Sequence, residues 1–330
     1  MQSEKIVFDK EKSVKIVAKD IEGLKDNEIL IKAKYSLISI GTEMVSLLGK
    51  RRKGNDFPSY PGYSLVGEIV EAGKDIKKYK AGDIVWASSN HETYPVIEPD
   101  DSNCILLSDK NSLMDYTFTA LGKVALHGVR RLNVELNESA AVFGLGIVGQ
   151  LVVQIAKASG AAPVIGIDLL DERCAIAGQC GADFVFGSKC SDVVEEIKKA
   201  NDNKGVRVAV ETSGSTKTMP YILKVSDYGA RIGIVGGLHE DLVMDLYTEV
   251  QVKELSLIGC RLVSNLPQTP KDYWNLVQNY KNVISMITAG TINVKPLISK
   301  VVKFKDSAAV YNDLIAGRNK NLLGVVIDYT

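Results

Sequence analysis

The apolar positions of this chain change rhythm twice. In the N-terminal third they fall in short runs, Lys5–Phe8, Val14–Val17, Glu28–Lys34, Tyr63–Val70 and Asp83–Ala87, with Gly73 and Gly82 separating the last two. Short apolar runs divided by turn residues predict strands of a compact sheet or small barrel. Glu43–Lys50 is the one stretch among them that reads as a short helix. From about residue 138, apolar runs alternate with helical stretches. Ala140–Phe143 predicts a strand, and Ile147, Val148, Leu151, Val152, Ile155 and Ala156 share one helical face. Pro163–Ile167, Phe184–Phe186, Val206–Glu211 and Arg231–Val235 predict further strands, with helices over Asp171–Gly178 and Ser191–Ala200. That alternation predicts a parallel sheet covered on both faces. Near the C terminus, Trp274, Val277, Tyr280, Ile284 and Ile287 are spaced 3, 3, 4 and 3 apart, as on a helix that Gly290 ends. Asp306–Ala316 predicts a second helix, stopped by Gly317, and Leu322–Asp328 a final strand.

A length of 330 residues suits two domains. No repeat, low-complexity run or Pro/Ser-rich linker separates them, so close packing with a ligand cleft between is the expectation. The formal net charge of +0 gives neither nucleic acid nor an anionic membrane a reason to bind. The polar start, MQSEKIVFDKEKS, lacks the apolar core of a signal peptide. Ser139–Ala156 runs 18 residues without a charge, near membrane-spanning length, but its glycines and glutamines fit a buried strand, turn and helix better. The five cysteines, Cys104, Cys174, Cys180, Cys190 and Cys260, form no CxxC pair, which argues against a disulfide framework and for a reducing cytoplasm. The three histidines, His91, His127 and His239, form no HxH or HExxH pattern, so no zinc ligand set is evident.

Gly144-Leu-Gly146-Ile147-Val148-Gly149 is a GxGxxG, a weak signal alone in a chain with 28 glycines. Its setting strengthens it, because a strand precedes it and an amphipathic helix follows. The first glycine permits the tight turn, the second lets backbone approach a pyrophosphate, and the third lets the helix pack on the strand. The helix N-terminus then offers N–H groups to the phosphates. Asp168 ends the next strand, 19 residues after Gly149, where a carboxylate meets the adenosine ribose hydroxyls and would repel the 2′-phosphate of NADP. No Lys or Arg adjoins it; Arg173, one helical turn on, is placed to lie over the adenine. The cofactor read from these residues is NAD(H). Glu211-Thr212-Ser213-Gly214 and Gly236-Gly237 follow later strands, and Thr212, Gly214 and Gly236 are candidates to line the ribose and nicotinamide, with plain strand-to-helix turns as the alternative.

Taken together, the chain resembles the medium-chain dehydrogenase/reductase superfamily, the alcohol dehydrogenase-like proteins. The likeness rests on Tyr60-Pro-Gly-Tyr-Ser-Leu-Val-Gly-Glu-Ile-Val-Glu-Ala-Gly73, on Gly82-Asp-Ile-Val85, and on Leu126-His-Gly-Val-Arg-Arg131. It implies a Rossmann doubly wound parallel sheet inserted into a β-rich GroES-like substrate domain: residues 1–118 substrate domain, 119–265 nucleotide domain, and 266–330 a return that completes the first. A homodimer is what the resemblance implies for assembly, with a small-molecule substrate as the other partner. Zinc-dependent members carry a Cys where Ile40 stands, His-Glu where Tyr63-Ser64 stand, and a third ligand near Leu121. Cys104 alone remains where they have a four-cysteine lobe. The chain therefore looks like a zinc-free branch, similar to bacteriochlorophyllide dehydrogenase-like and threonine dehydrogenase-related proteins.

Without a metal, the protein must still move one proton and stabilise developing negative charge. Four side chains are candidates. Thr42 matches the family's proton-relay hydroxyl, and Tyr63 occupies a lost ligand position. Glu43 could act as base or orienter, and His91 has a pKa suited to neutral pH. Each also has a plain reading: Tyr63 as filler of vacated space, Glu43 as a partner of local backbone or an Arg, His91 as a loop histidine. His127, on an apolar helix, reads as a core residue. The expected activity is interconversion of a secondary alcohol and a ketone on a polar, sugar- or polyol-like molecule. A zinc-free quinone or enoyl reductase, and a cofactor-binding protein without turnover, are the alternatives.

Overall fold

The computed structural model describes the chain except for residues 53, 55, 262–273 and 320. It divides into two compact units, one formed by Met1–Ala120 with Ile298–Thr330, the other by Leu121–Leu297.

In the first unit, β1 (Gln2–Lys10) and β2 (Ser13–Asp20) form an antiparallel hairpin. β3 (Ile29–Ile38) leads into the helix α1 (Ile40–Leu47), and β4 (Leu65–Ala72), β5 (Ile84–Ala87), β6 (Val96–Ile97) and β7 (Cys104–Leu106) follow. One core gathers Ile29, Ile31, Leu65, Ile69 and Val85, all buried, from alternate positions of neighbouring strands. The helix α2 (Thr119–Arg131) starts at the end of this stretch.

Among the described residues the second unit is a six-stranded parallel sheet of the Rossmann kind. Its strands are β8 (Ala140–Phe143), β9 (Val164–Ile167), β10 (Phe184–Phe186), β11 (Val206–Glu211), β12 (Ser226–Ile234) and β13 (Ser256–Gly259), ordered β10-β9-β8-β11-β12-β13. The connecting helices are α3 (Ile147–Ala158), α4 (Asp171–Gln179), α5 (Val193–Ala200) and α6 (Met219–Val225). Every residue of β8 is buried, as expected of a central strand with both faces covered. The order reverses between β8 and β11, and in such sheets the ends of the flanking strands are where ligands bind.

α7 (Leu276–Thr288) closes the second unit, and β14 (Ile298–Lys303), α8 (Ser307–Ile315) and β15 (Gly324–Asp328) return to the first. β15 pairs antiparallel with β3, with Ile327 opposite Ser36 and Asp328 opposite Tyr35. A second core follows from that pairing: Ile6, Phe8, Ile38 and Leu47 pack with Tyr311, Val325 and Ile327.

The return thus begins at Ile298 rather than at 266. The reason is local packing: Arg130 Nη1 donates to Asn279 Oδ1 at 2.5 Å, and the Gln154 amide both donates to Asn293 O (3.1 Å) and accepts from Asn293 N (2.7 Å), which binds α7 and its exit to the second unit. Part of the stretch on which the boundary was placed, 262–273, lies outside the described residues. Trp274 precedes α7, whose N-cap is Asn275 in a capping box with Gln278. The first helix begins at Ile40 rather than Glu43. Strands β6, β7, β13 and β14 carried too few alternations to show in the sequence.

Candidate functional site

At the end of β8 the chain turns through Gly144, whose φ of +94° suits glycine alone, and a side chain there would lie 2.6 Å from the Ser213 backbone. Gly149 is needed for contact: a Cβ would come within 1.9 Å of Gly144 O. Gly146 is the N-cap of α3 and has open space around its Cα, while the helix starts at Ile147 with no side-chain cap. The first-turn N–H groups, those of Ile147, Val148 and Gly149, have no acceptor within the helix and are free for an anion. These features fit a dinucleotide, whose chemistry when bound is hydride transfer.

Asp168 lies where the GxGxxG reading expects it. Its carboxylate accepts from Leu145 N at 2.7 Å and Leu170 N at 2.9 Å, so it also braces the glycine loop. Arg173 Nη1 stands 3.8 Å from Asp168 Oδ2, which turns its guanidinium toward the carboxylate. Thr212 Oγ1 donates to Gly144 O (2.5 Å) and Phe143 O (3.1 Å) and stitches the end of β11 to the end of β8. Gly214 (φ +72°) and Gly236 lie at the ends of the neighbouring strands β11 and β12. The cofactor candidates therefore gather on one edge of one sheet.

In the first unit, β3, α1, the turn before β4 and the C-terminal return bring a polar cluster together. Tyr63 donates to Ser39 Oγ at 2.5 Å and is also hydrogen-bonded with Thr42. Burial pushes its phenol up to about 12, against the Ser39 and Thr42 bonds and with the help of the Glu43 charge. Thr42 is exposed on α1, and Tyr63 is half-buried. Behind them Glu43, 4% exposed, accepts from Ser39 N at 2.9 Å and from the hydroxyl of Tyr311. His91 is fully buried, with Nδ1 2.7 Å from Ser36 Oγ and Nε2 3.4 Å from Glu43 Oε1. Ser36 Oγ in turn lies 2.9 Å from Tyr329 Oη. Burial drives both Tyr311 and Tyr329 well above the ordinary phenol range.

The four candidates thus separate into two kinds. Thr42 is exposed and Tyr63 partly buried with its hydroxyl on Ser39, while Glu43 and His91 form a fully interior scaffold. His91 is no surface loop histidine. Tyr311 and Tyr329 had no signal in the sequence; the C-terminal return brings them to the cluster, Tyr311 on α8 and Tyr329 just after β15, which pairs with β3. Ser64, where zinc-type members place a carboxylate, donates to Thr117 O (2.6 Å) and accepts from Trp86 Nε1 (2.8 Å), a wholly internal role.

The donor set at the family's metal positions does not fit zinc. Ile40 and Leu121 have no ligand atom, and a phenol held protonated is a poor one. Among the described residues no group of three His, Cys, Asp or Glu side chains converges to hold a metal.

Comparison with known proteins agrees with this architecture. Residues 25–130 match the alcohol dehydrogenase GroES-like domain, and residues 148–280 match the domain described as zinc-binding dehydrogenase. A D-guloside 3-dehydrogenase of Escherichia coli is 29% identical over 262 residues, covering 78% of this chain and 75% of that one. An NAD-dependent alcohol dehydrogenase of Sulfurisphaera tokodaii is 24% identical over 297 residues, 79% and 80% of the two chains. A Sinorhizobium meliloti dehydrogenase solved with NADP superposes over 99% of both chains with a TM-score of 0.85 at 17% identity. The chain belongs to the medium-chain dehydrogenase/reductase superfamily and is an oxidoreductase of its alcohol dehydrogenase-like kind.

Proposed function

We propose that this protein interconverts a secondary alcohol and a ketone on a polar, sugar- or polyol-like substrate, with NAD(H) as hydride carrier and without zinc. The observation that carries the reading is the hydroxyl cluster of Tyr63, Ser39 and Thr42, built where metal-dependent relatives place a ligand. In the reducing direction Tyr63 donates its proton to the carbonyl oxygen and the phenolate left regains one from solvent; oxidation is the reverse, with the deprotonated phenol taking the alcohol proton. Ser39 and Thr42 hold the phenol in place, and the buried Glu43–His91 pair fixes Ser39. The similarity to a guloside 3-dehydrogenase supports a sugar-like substrate.

The dinucleotide is held by Gly144, Gly146 and the start of α3 at its pyrophosphate, and by Asp168 at the adenosine ribose. A carboxylate there favours NAD over NADP, in line with the NAD-dependent relative. Assembly as a homodimer along β13, an edge strand among the described residues with Leu257 exposed, is part of the same reading, as is a cytoplasmic location. Sedimentation at two protein concentrations tests the dimer.

Metal analysis of the purified protein, followed by turnover before and after chelation, tests the central statement. Activity on secondary alcohols that survives chelation is the expected result. Stoichiometric zinc required for turnover overturns it, and reduction of enones without alcohol oxidation turns the assignment toward a quinone- or enoyl-type reductase.

A further inference from the structure

We propose that Glu211 is a positioning residue for the cofactor: its buried carboxylate holds the loop after β11 while its main chain ties that loop to the neighbouring strand ends, and together they set the surface on which the dinucleotide lies. The inference rests on the NAD(H) reading above. Glu211 is the last residue of β11, and β11 is flanked by β8 and β12. In the ladders it stands opposite Phe143 on one side and Ile234 on the other. Each of these three strands runs on into a candidate cofactor glycine: Gly144, Gly214 and Gly236.

The side chain is fully buried, yet it is a carboxylate. Such burial costs several kcal/mol unless the lone pairs are filled. Here four donors converge on Oε1, Ser213 N at 2.8 Å, the Ser213 hydroxyl, Gly214 N at 3.1 Å and Thr218 Oγ1 at 3.4 Å, and Gly214 N also reaches Oε2 at 3.3 Å. Burial pushes the carboxyl up, and these hydrogen bonds pull against it. The main-chain oxygen of Glu211 adds two more ties, accepting from Val235 N and Gly236 N, both at 2.9 Å. Fit is close around it: a Cβ on Gly236 would lie 2.4 Å from Glu211 Oε2 and 2.6 Å from Gly214 N.

An apolar residue of similar size would fill this interior at no electrostatic cost. The carboxylate does something such a residue cannot: it takes the N–H groups of a loop with a left-handed turn at Gly214 and holds it in one conformation against the glycine loop. Thr212, the next residue, bonds to Gly144 O and carries the constraint across.

The test is NADH binding, followed by fluorescence titration, on wild type, Glu211→Gln and Ser213→Ala, with melting temperatures and steady-state kinetics alongside. Gln keeps the shape but removes the charge on which the donors converge and puts an amide NH2 at one oxygen position, where Gly214 N also approaches Oε2 at 3.3 Å. It is expected to weaken NADH binding and raise the KM for NAD about 10-fold or more, with kcat at saturating cofactor nearly unchanged and the fold retained. Ser213→Ala, which removes one exposed hydroxyl, should give a smaller loss in the same direction, and it decides the matter should the Gln variant fail to fold. Wild-type affinity in a folded Gln variant, or in Ser213→Ala where that variant decides, overturns the proposal. Absence of NAD(H) binding by the wild type itself would instead overturn the cofactor reading.

Discussion

Tyr63 and Ser39 share a 2.5 Å hydrogen bond across a sequence separation of 24 residues. Ser39 is the N-cap of α1, but its hydroxyl caps nothing; it accepts from the phenol while its amide N–H is held by Glu43. A residue whose hydroxyl usually satisfies a helix end is here spent on orienting a tyrosine. If that tyrosine moves the proton, Tyr63→Phe should lower kcat by about 10²- to 10⁴-fold with NADH affinity unchanged. Thr42→Val should lower it less. Stopped-flow or steady-state assays beside NADH titration check both, and unchanged turnover in Tyr63→Phe removes it as donor.

The pH profile tests Tyr63 as the donor. A phenol pushed up to about 12 keeps its proton throughout the neutral and mildly alkaline range. The protonated donor is therefore lost only as pH climbs toward that value, and kcat for ketone reduction should stay level across neutrality. A fall of kcat near neutrality would instead point to a donor other than this phenol. A basic limb centred there would contradict the assignment.

Glu43 is a buried carboxylate that depends on its donors. Tyr311→Phe removes one of them and leaves a carboxylate oxygen short of a partner. The expected loss is about 1–3 kcal/mol of stability, read from urea unfolding. Turnover should fall as well, because Glu43 holds the Ser39 amide. Stability equal to wild type would mean that the Tyr311 bond contributes nothing.

Asp168 braces Leu145 N, and in the proposed reading it also receives the ribose. Asp168→Ala should weaken NADH binding by about 10- to 100-fold, the usual worth of hydrogen bonds to a charged group. The preference over NADPH should shrink with it. An unchanged ratio of the two affinities would show that selectivity lies elsewhere.

Asp183 links β9 to Lys157 of α3. Burial opposes its ionisation, but the Lys157 ammonium and the Val164 amide outweigh that and hold the carboxyl below its usual value of 3.8. A lowered folded pKa gives stability that is present above the unfolded value and lost as pH falls through the folded one. Asp183→Asn should therefore be less stable than wild type at neutral pH, with the gap closing in acid. A gap that does not narrow would mean the carboxylate charge is not what stabilises.

Much of the second unit was legible in the sequence because its logic is local. A central parallel strand is a short unbroken apolar run, and Ala140–Phe143 fell on β8 itself. The glycine spacing and Asp168 sit within one βαβ unit, so pattern alone brought these candidate cofactor residues together. The strand ends carrying Thr212, Gly214 and Gly236 were visible as well, but the part played by Glu211 was not. It looked like the end of a strand, and only the folded loop shows four donors turned toward it.

The first unit obeys different physics. Its cluster joins Ser36, Ser39, Glu43, Tyr63 and His91 to Tyr311 and Tyr329, with separations of up to 293 residues. No periodicity carries such a relation, since it exists only once β15 lies antiparallel on β3 and places Ile327 opposite Ser36. The amino-acid sequence by itself determined the nucleotide-binding architecture and the absence of ligand atoms at Ile40 and Leu121, because both depend on residue type and short-range order. Tertiary structure decided how deeply each polar side chain lies, leaving Thr42 exposed and Tyr63 partly buried while Glu43 and His91 are interior: burial and long-range hydrogen bonding are properties of the closed sheet, not of any segment in it.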